Sequence, residues 1–234
     1  MPTKPRPCRA RVRVVRSIAL DVLEAELDME EPLALPFDAG QWVSVPFGPK
    51  NVRAYSIAST PRSPSSITLC ADVAPDGIGS AWFRGLASGQ TVEFKAPFGG
   101  FVFQRSDPRP PLFVAEEIGI VPIRAILTDL QETGYGRATT LVYWGRDPRH
   151  MPYHAELVSL TRRDPDFVYH PVVDSPGAGW SGGQGRPPEV VSGLVKAAGV
   201  IAYVSGGGRM IDDVRNVLMA RGLDRKSVRW EKFW

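Results

Sequence analysis

Arg53, Tyr55 and Ser56 fall within four residues of one another, in the stretch Arg53-Ala54-Tyr55-Ser56-Ile57-Ala58-Ser59. The run reads as a β-strand. Period-two alternation puts Arg53 and Tyr55 on one face, with Ser56 at the turn of the pleat. A cation, a flat ring and a short hydrogen-bonding group so close together suit a dinucleotide that carries a planar redox ring. The arginine can neutralise a pyrophosphate, the tyrosine can stack, and the serine can meet a ring nitrogen. Further along, Asp76-Gly77-Ile78-Gly79-Ser80 leads into a helical stretch. Glycines before a helix that starts with serine leave backbone N–H groups free for a phosphate, and Gly77 and Ser80 are the candidates. The same residues also suit a plain N-cap.

Two kinds of element must position these groups. The first hundred residues hold short β-type runs: Cys8–Arg16, Ile18–Leu27, Gln41–Val45, Val52–Ala58, Ser66–Asp72, Thr91–Lys95 and Phe101–Phe103. Gly and Pro punctuate them, and one helical stretch, Ser80–Ala87, interrupts. Many short strands with one helix predict a small antiparallel β-barrel. A proline-dense hexapeptide, Ser106 to Pro111, marks a boundary, giving domains 1–107 and 108–234. Beyond it, strands at Leu112–Ala115, Thr139–Trp144, Asp166–Val173, Val200–Ser205 and Ser227–Trp230 alternate with helices at Gly119–Thr133, His150–Thr161, Pro187–Ala198 and Met210–Arg221. Continuous apolar strands between amphipathic helices predict a parallel α/β sheet covered on both faces. The glycine-rich run 174–188 is either a flexible linker or a ligand-facing loop.

In this order the motifs resemble the ferredoxin–NADP reductase superfamily of flavoproteins along nearly the whole chain. Its flavin fingerprint is Arg-x-Tyr-Ser, here Arg53, Tyr55 and Ser56. The resemblance implies an N-terminal antiparallel β-barrel that binds FAD, then a Rossmann-like parallel α/β domain that binds NADH or NADPH. Gly77 and Ser80 match the Gly-x-x-Ser that holds the flavin pyrophosphate. Ala96-Pro97-Phe98-Gly99-Gly100-Phe101 looks like the turn that ends the family's barrel. The resemblance also puts Phe233 or Trp234 over the flavin ring opposite Tyr55, and Glu231 near it as a proton-handling carboxylate. An ordinary edge strand with aromatic packing is the other reading of these C-terminal residues. Tyr143-Trp144-Gly145-Arg146-Asp147 is similar to the family's adenosine-ribose segment, so Arg146 is a candidate for the ribose or its 2′-phosphate. A surface salt bridge is its alternative role.

The chain departs from the family at two places, both on the pyridine-nucleotide side. The expected Gly-Gly-x-Gly-x-x-Pro turn is Glu116-Glu117-Ile118-Gly119-Ile120-Val121-Pro122, which keeps only Gly119 and Pro122. Cβ atoms there obstruct a close pyrophosphate. At about 5 Å and an effective dielectric near 20, each carboxylate repels a phosphate by up to about 3 kcal/mol. The family's Cys-Gly-Pro-x-x-Met is Ser205-Gly206-Gly207-Gly208-Arg209-Met210 here. Ser205 stands where relatives place a cysteine against the nicotinamide. Gly206 and Met210 are kept, and Arg209 adds a cation near the cofactor phosphates.

Composition narrows the partners. The chain has 28 Lys+Arg against 25 Asp+Glu, a net charge of +3, too balanced for a dedicated nucleic-acid binder. Arg6, Arg9, Arg11, Arg13 and Arg16 precede Glu24, Glu26, Asp28, Glu30 and Glu31. These read as solvated strand faces and a loop, ahead of a docking surface for an acidic electron carrier. Two cysteines without a Cys-x-x-Cys speak against an iron–sulfur or zinc site and for a reducing cytoplasm. The N-terminus shows no apolar h-region, and no run of about 18 apolar residues occurs, so no membrane insertion is expected. His150, His154 and His170 form no metal set, and no serine sits in a nucleophile elbow. The expectation is a cytoplasmic FAD-dependent reductase that takes electrons from NAD(P)H. It passes them to a separate ferredoxin, flavodoxin or haem protein. A flavin subunit that has lost productive NAD(P)H binding, and a non-catalytic module that kept the fold, are the alternatives.

Overall fold

The computed structural model describes residues 4–194 and 199–233. Contacts divide the chain into two units, 1–103 with 124–134, and 104–123 with 135–234.

The first unit is a six-stranded antiparallel sheet. Its strands are β1 (Arg6–Ala19), β2 (Val22–Glu31), β3 (Trp42–Pro46), β4 (Val52–Ser56), β5 (Ser66–Asp72) and β6 (Thr91–Phe98), with helix α1 (Ile78–Arg84) between the last two. They lie in the order β4-β3-β6-β1-β2-β5. The two edges meet: Ile57, just past β4, bridges to Leu69 in β5, and the Ala58 N–H donates to the Thr68 carbonyl at 2.8 Å. The sheet thereby closes as the expected barrel. In β1, Cys8, Ala10 and Val12 point inward while Arg9, Arg11 and Arg13 point to solvent, the alternation a half-buried strand requires. The outward arginines meet carboxylates across the hairpin. Arg9 and Arg11 reach Glu30, Arg13 reaches Asp28, and Arg16 reaches both Glu24 and Glu26. The basic and acidic runs of the sequence are thus one cross-strand ion-pair ladder.

The expected strand Ile18–Leu27 is interrupted. Asp21, at φ +56°, turns the chain after Leu20, so Ile18 and Ala19 end β1, and β2 starts at Val22. The expected strand Phe101–Phe103 is irregular chain, with Phe101 buried. Residues 124–134 group with this unit, where the Arg124 guanidinium donates to the Ala58 carbonyl at 2.8 Å.

The second unit is an all-parallel sheet of β7 (Pro111–Glu116), β8 (Thr139–Gly145), β9 (Phe167–Val173), β10 (Gly183–Gln184), β11 (Ile201–Gly206) and β12 (Val228–Lys232). Its order is β10-β9-β8-β7-β11-β12. Helices α2 (Ile120–Glu132), α3 (His154–Arg163), α4 (Pro187–Leu194) and α5 (Gly208–Ala220) connect the strands. β7 and β11 are buried almost throughout, as central strands of a covered parallel sheet must be. Strand order reverses between β7 and β11, and a crevice at the carboxyl ends of such a pair is where doubly wound folds bind ligands. Helix α3 starts four residues later than expected. Asp147 caps a short 3-10 turn, Pro148–His150, and Tyr153 at φ +62° separates it from the helix. The glycine-rich run is pinned: β10 pairs with the end of β9, and the Trp180 indole donates to the Gly183 carbonyl at 2.9 Å.

Helix α1 is held by Phe83, which is fully buried, while Ile78 at its start is half exposed. Phe83→Ala is therefore expected to cost about 3–5 kcal/mol. Ile78→Ala should cost within about 0.5 kcal/mol. Urea unfolding of the two variants beside the parent chain checks the contrast.

Candidate functional site

The structure brings Arg53, Tyr55 and the start of α1 together. Tyr55 is buried, and its hydroxyl donates to the Gly79 carbonyl at 3.2 Å. A Cβ placed on Gly79 would lie 2.8 Å from the Tyr55 hydroxyl and 3.1 Å from Cγ of Arg53. Both side chains of the strand face therefore lie against one glycine, and only a glycine allows the helix to sit so low on β4. Gly77 precedes it with open space around it. The glycine the packing demands is Gly79, which the sequence reading passed over for its neighbours Gly77 and Ser80. The repeated glycine in Gly77-Ile78-Gly79 was the available signal.

Burial pushes the Tyr55 hydroxyl up to about 12, against a smaller opposing pull from Arg53, so the tyrosine stays a neutral hydrogen-bonding group. Its ring packs on Trp82 and Phe83, with centroids 5.4 and 5.5 Å away. Arg53 is exposed, and its guanidinium donates to the Val52 carbonyl at 2.8 Å. Ser56 is buried at the end of β4. No side chain caps α1, and its first turn holds no acidic residue. An uncapped helix start beside an exposed guanidinium fits a pyrophosphate. The residues present thus suit FAD on this face.

The second unit answers the same question differently. Glu116, at the end of β7, accepts a hydrogen bond from the Gly207 N–H at 2.7 Å, and Gly207 is the N-cap position of α5. Burial raises the Glu116 carboxyl above the usual range, with the Gly207 bond pulling the other way. Glu117, at φ +44°, grips Arg146 with two hydrogen bonds, 2.6 Å from Nε and 2.8 Å from Nη2. The two carboxylates read as obstacles in the sequence are held by the Gly207 N–H and by Arg146, the candidate for the ribose or its 2′-phosphate. Arg146, half exposed, makes a salt bridge to Glu117.

The remaining candidates are placed as follows. Gly119 faces the end of β11, where a Cβ would collide with the Ser205 carbonyl; its glycine is required by that packing. Pro122 lies in the first turn of α2, where a missing N–H is tolerated. Ser205 has no accessible surface, and its Oγ has no hydrogen-bond partner among the described residues. A nicotinamide can touch Ser205 only if what covers the side chain moves. Glu231 is its register partner across β11 and β12, and the Phe233 N–H donates to the Gly206 carbonyl at 3.0 Å. Arg209 and Met210 line a cleft of about 260 Å³ with Glu116 and Arg186. Arg209 is almost wholly exposed, 3.9 Å from Asp213. Trp234 lies outside the described residues. Among the described residues no cluster of His, Cys, Asp and Glu could hold a metal ion. No described helix is long and apolar enough to cross a membrane.

Residues 9–103 match the family model of the oxidoreductase FAD-binding domain, and residues 113–216 match that of the oxidoreductase NAD-binding domain. The chain is 30% identical over 238 residues to the ferredoxin–NADP reductase B of Sorangium cellulosum (strain So ce56), covering 97% of this chain and 98% of that protein. It is 27% identical over 232 residues to the phenol hydroxylase P5 protein of Acinetobacter pittii (strain PHEA-2), covering 96% of this chain and 65% of that protein. The crystal structure of the Amycolatopsis cytochrome P450 reductase GcoB superposes with a TM-score of 0.88 at 25% identity, over 98% of this chain and 70% of that one.

The glycine geometry generates a prediction with an internal control. Gly79→Ala should lower FAD retention at least about tenfold, the scale of overpacking by 1–3 kcal/mol. Gly77→Ala, in open space and extended backbone, should retain FAD like the parent. Arg53→Ala should weaken FAD by about 1.5–3 kcal/mol, the scale of a charge-assisted hydrogen bond. Flavin fluorescence during titration of the apoprotein measures all three.

Proposed function

This chain belongs to the ferredoxin–NADP reductase superfamily, and we propose that the Arg53, Tyr55 and Gly79 face holds the FAD of a reductase. The chain is a flavin-dependent oxidoreductase that passes electrons from NAD(P)H through FAD to a separate acceptor. The observation that carries the site assignment is the single glycine against which both Arg53 and Tyr55 lie.

Bound FAD would supply the chemistry that links two-electron donors to one-electron acceptors. The chain's own residues bind and orient. Arg53 and the open start of α1 hold the pyrophosphate, with Gly77 and Ser80 flanking Gly79. Tyr55 presents a neutral ring and hydroxyl, and Ser56 offers a hydrogen bond to the ring system. In the second domain Gly119 and Pro122 shape the turn after β7. Gly206, Arg209 and Met210 shape the turn into α5. Ser205 is the polar group assigned to the nicotinamide side; its register partner Glu231 is assigned to the flavin as a proton-handling carboxylate, and Phe233 or Trp234 to the face of the flavin ring. The working division is 1–107 for FAD and 108–234 for the pyridine nucleotide.

The acceptor is a separate carrier protein of the ferredoxin, flavodoxin or haem class. Relatives named as a reductase B and as a P5 protein of phenol hydroxylase are consistent with service to a partner. Cys8 and Cys70, both buried, suit a reducing cytoplasm. A second reading, a flavin subunit that no longer uses NAD(P)H productively, draws on the Glu116 bond to Gly207, because that carboxylate fills the helix start itself.

Anaerobic titration of the purified protein separates the two readings. The reductase predicts flavin bands near about 375 and 450 nm that a pyridine nucleotide bleaches within seconds. A yellow protein that only dithionite bleaches would establish the second reading. A colourless protein that FAD cannot reconstitute would overturn both.

A further inference from the structure

We propose that Glu117 sets the pyridine-nucleotide selectivity of this chain: by occupying Arg146, it removes the gain a ribose 2′-phosphate would bring and makes NADH the preferred substrate over NADPH. The proposal rests on the reductase reading and deepens it.

Arg146 emerges at the carboxyl end of β8, the edge of a parallel sheet at which nucleotides bind. A guanidinium there would recognise a 2′-phosphate through paired N–H groups. Those groups are already given away. Nε and Nη2 of Arg146 both donate to Glu117, at 2.6 and 2.8 Å, and the Arg146 backbone N–H also reaches Glu117 Oε1 at 3.3 Å. The other arginine of the segment, Arg149, donates to Asp147 at 3.3 and 3.1 Å. A 2′-phosphate arriving here meets a neutralised arginine and an adjacent carboxylate. A 2′-hydroxyl carries no charge for Glu117 to repel and can donate a hydrogen bond to it, the way acidic residues favour NAD in doubly wound folds. Glu117 comes from the end of β7, next to β8 in the sheet, and its side chain is largely buried, 12% exposed, so the pair is a settled one. Glu117 acts both through the Arg146 it occupies and as an acceptor for the 2′-hydroxyl. The rival cation is Arg209, which is 96% exposed at the start of α5.

Isothermal titration of the oxidised, FAD-loaded protein with 2′,5′-ADP and with 5′-AMP reads the selectivity without turnover. The parent chain should bind 5′-AMP at least as tightly as 2′,5′-ADP. Glu117→Gln, and separately Glu117→Gly, which its positive φ favours, should raise the 2′,5′-ADP to 5′-AMP affinity ratio about tenfold, the scale of one charge-assisted phosphate contact. Adding Arg146→Ala to Glu117→Gln should abolish that gain. A parent chain that already prefers 2′,5′-ADP tenfold would assign the phosphate to another cation and overturn the proposal. An unchanged ratio in both Glu117 variants would overturn it too. If neither ligand binds the parent or any variant, the pyridine-nucleotide reading itself falls and takes the selectivity with it. Binding of both ligands with a ratio that does not move sinks the selectivity alone.

Discussion

Backbone N–H groups at a helix start must find an acceptor, and this chain meets that demand in two opposite ways. At α1 no side chain caps the helix, no acid lies in the first turn, and an arginine stands exposed beside it. At α5 a glutamate from a neighbouring strand fills the place. In the first arrangement no side chain supplies the acceptor. In the second a carboxylate does. The barrel and the parallel sheet can both be understood as the means of bringing those partners to those helix ends.

On the barrel side the decisive contact is between backbone and side chain. Tyr55 and Arg53 project from β4 onto the one residue of α1 that has no Cβ. Closure of the barrel through Ile57 and Leu69 follows directly after Ser56, so the fingerprint strand lies where the sheet's two edges join. On the other side the sheet order reverses between β7 and β11. That reversal brings the end of one strand, Glu116, against the turn that follows the other, Gly207. Gly119 keeps the turn after β7 tight against β11. The same turn carries Glu117 to Arg146.

Much of the architecture was legible in the sequence because its signals were local. Cys8, Ala10 and Val12 alternate with arginines, and the apolar runs of β7 and β11 are continuous, so period alone assigns them. The turn between the first two strands, read at Ser17, falls at Leu20 and Asp21, because a non-glycine residue takes positive φ there with no Gly or Pro to announce it. The basic and acidic runs were read as separate solvated faces, since the register that pairs Arg11 with Asp28 and Arg16 with Glu24 belongs to the folded hairpin. Glu116 and Glu117 were legible as departures and illegible as contacts. Their partners lie 91 and 29 residues away, and a sequence shows a carboxylate's charge without showing the N–H or guanidinium that absorbs it.

Amide hydrogen exchange at the two helix starts tests this contrast most directly. The account predicts that in the FAD-free protein the Gly207 amide is already protected by Glu116. The amides of Ile78, Gly79 and Ser80 should exchange freely until FAD is added, and then slow. A Gly207 amide that exchanges freely in the absence of any nucleotide, or amides at 78–80 that FAD leaves unchanged, would contradict it.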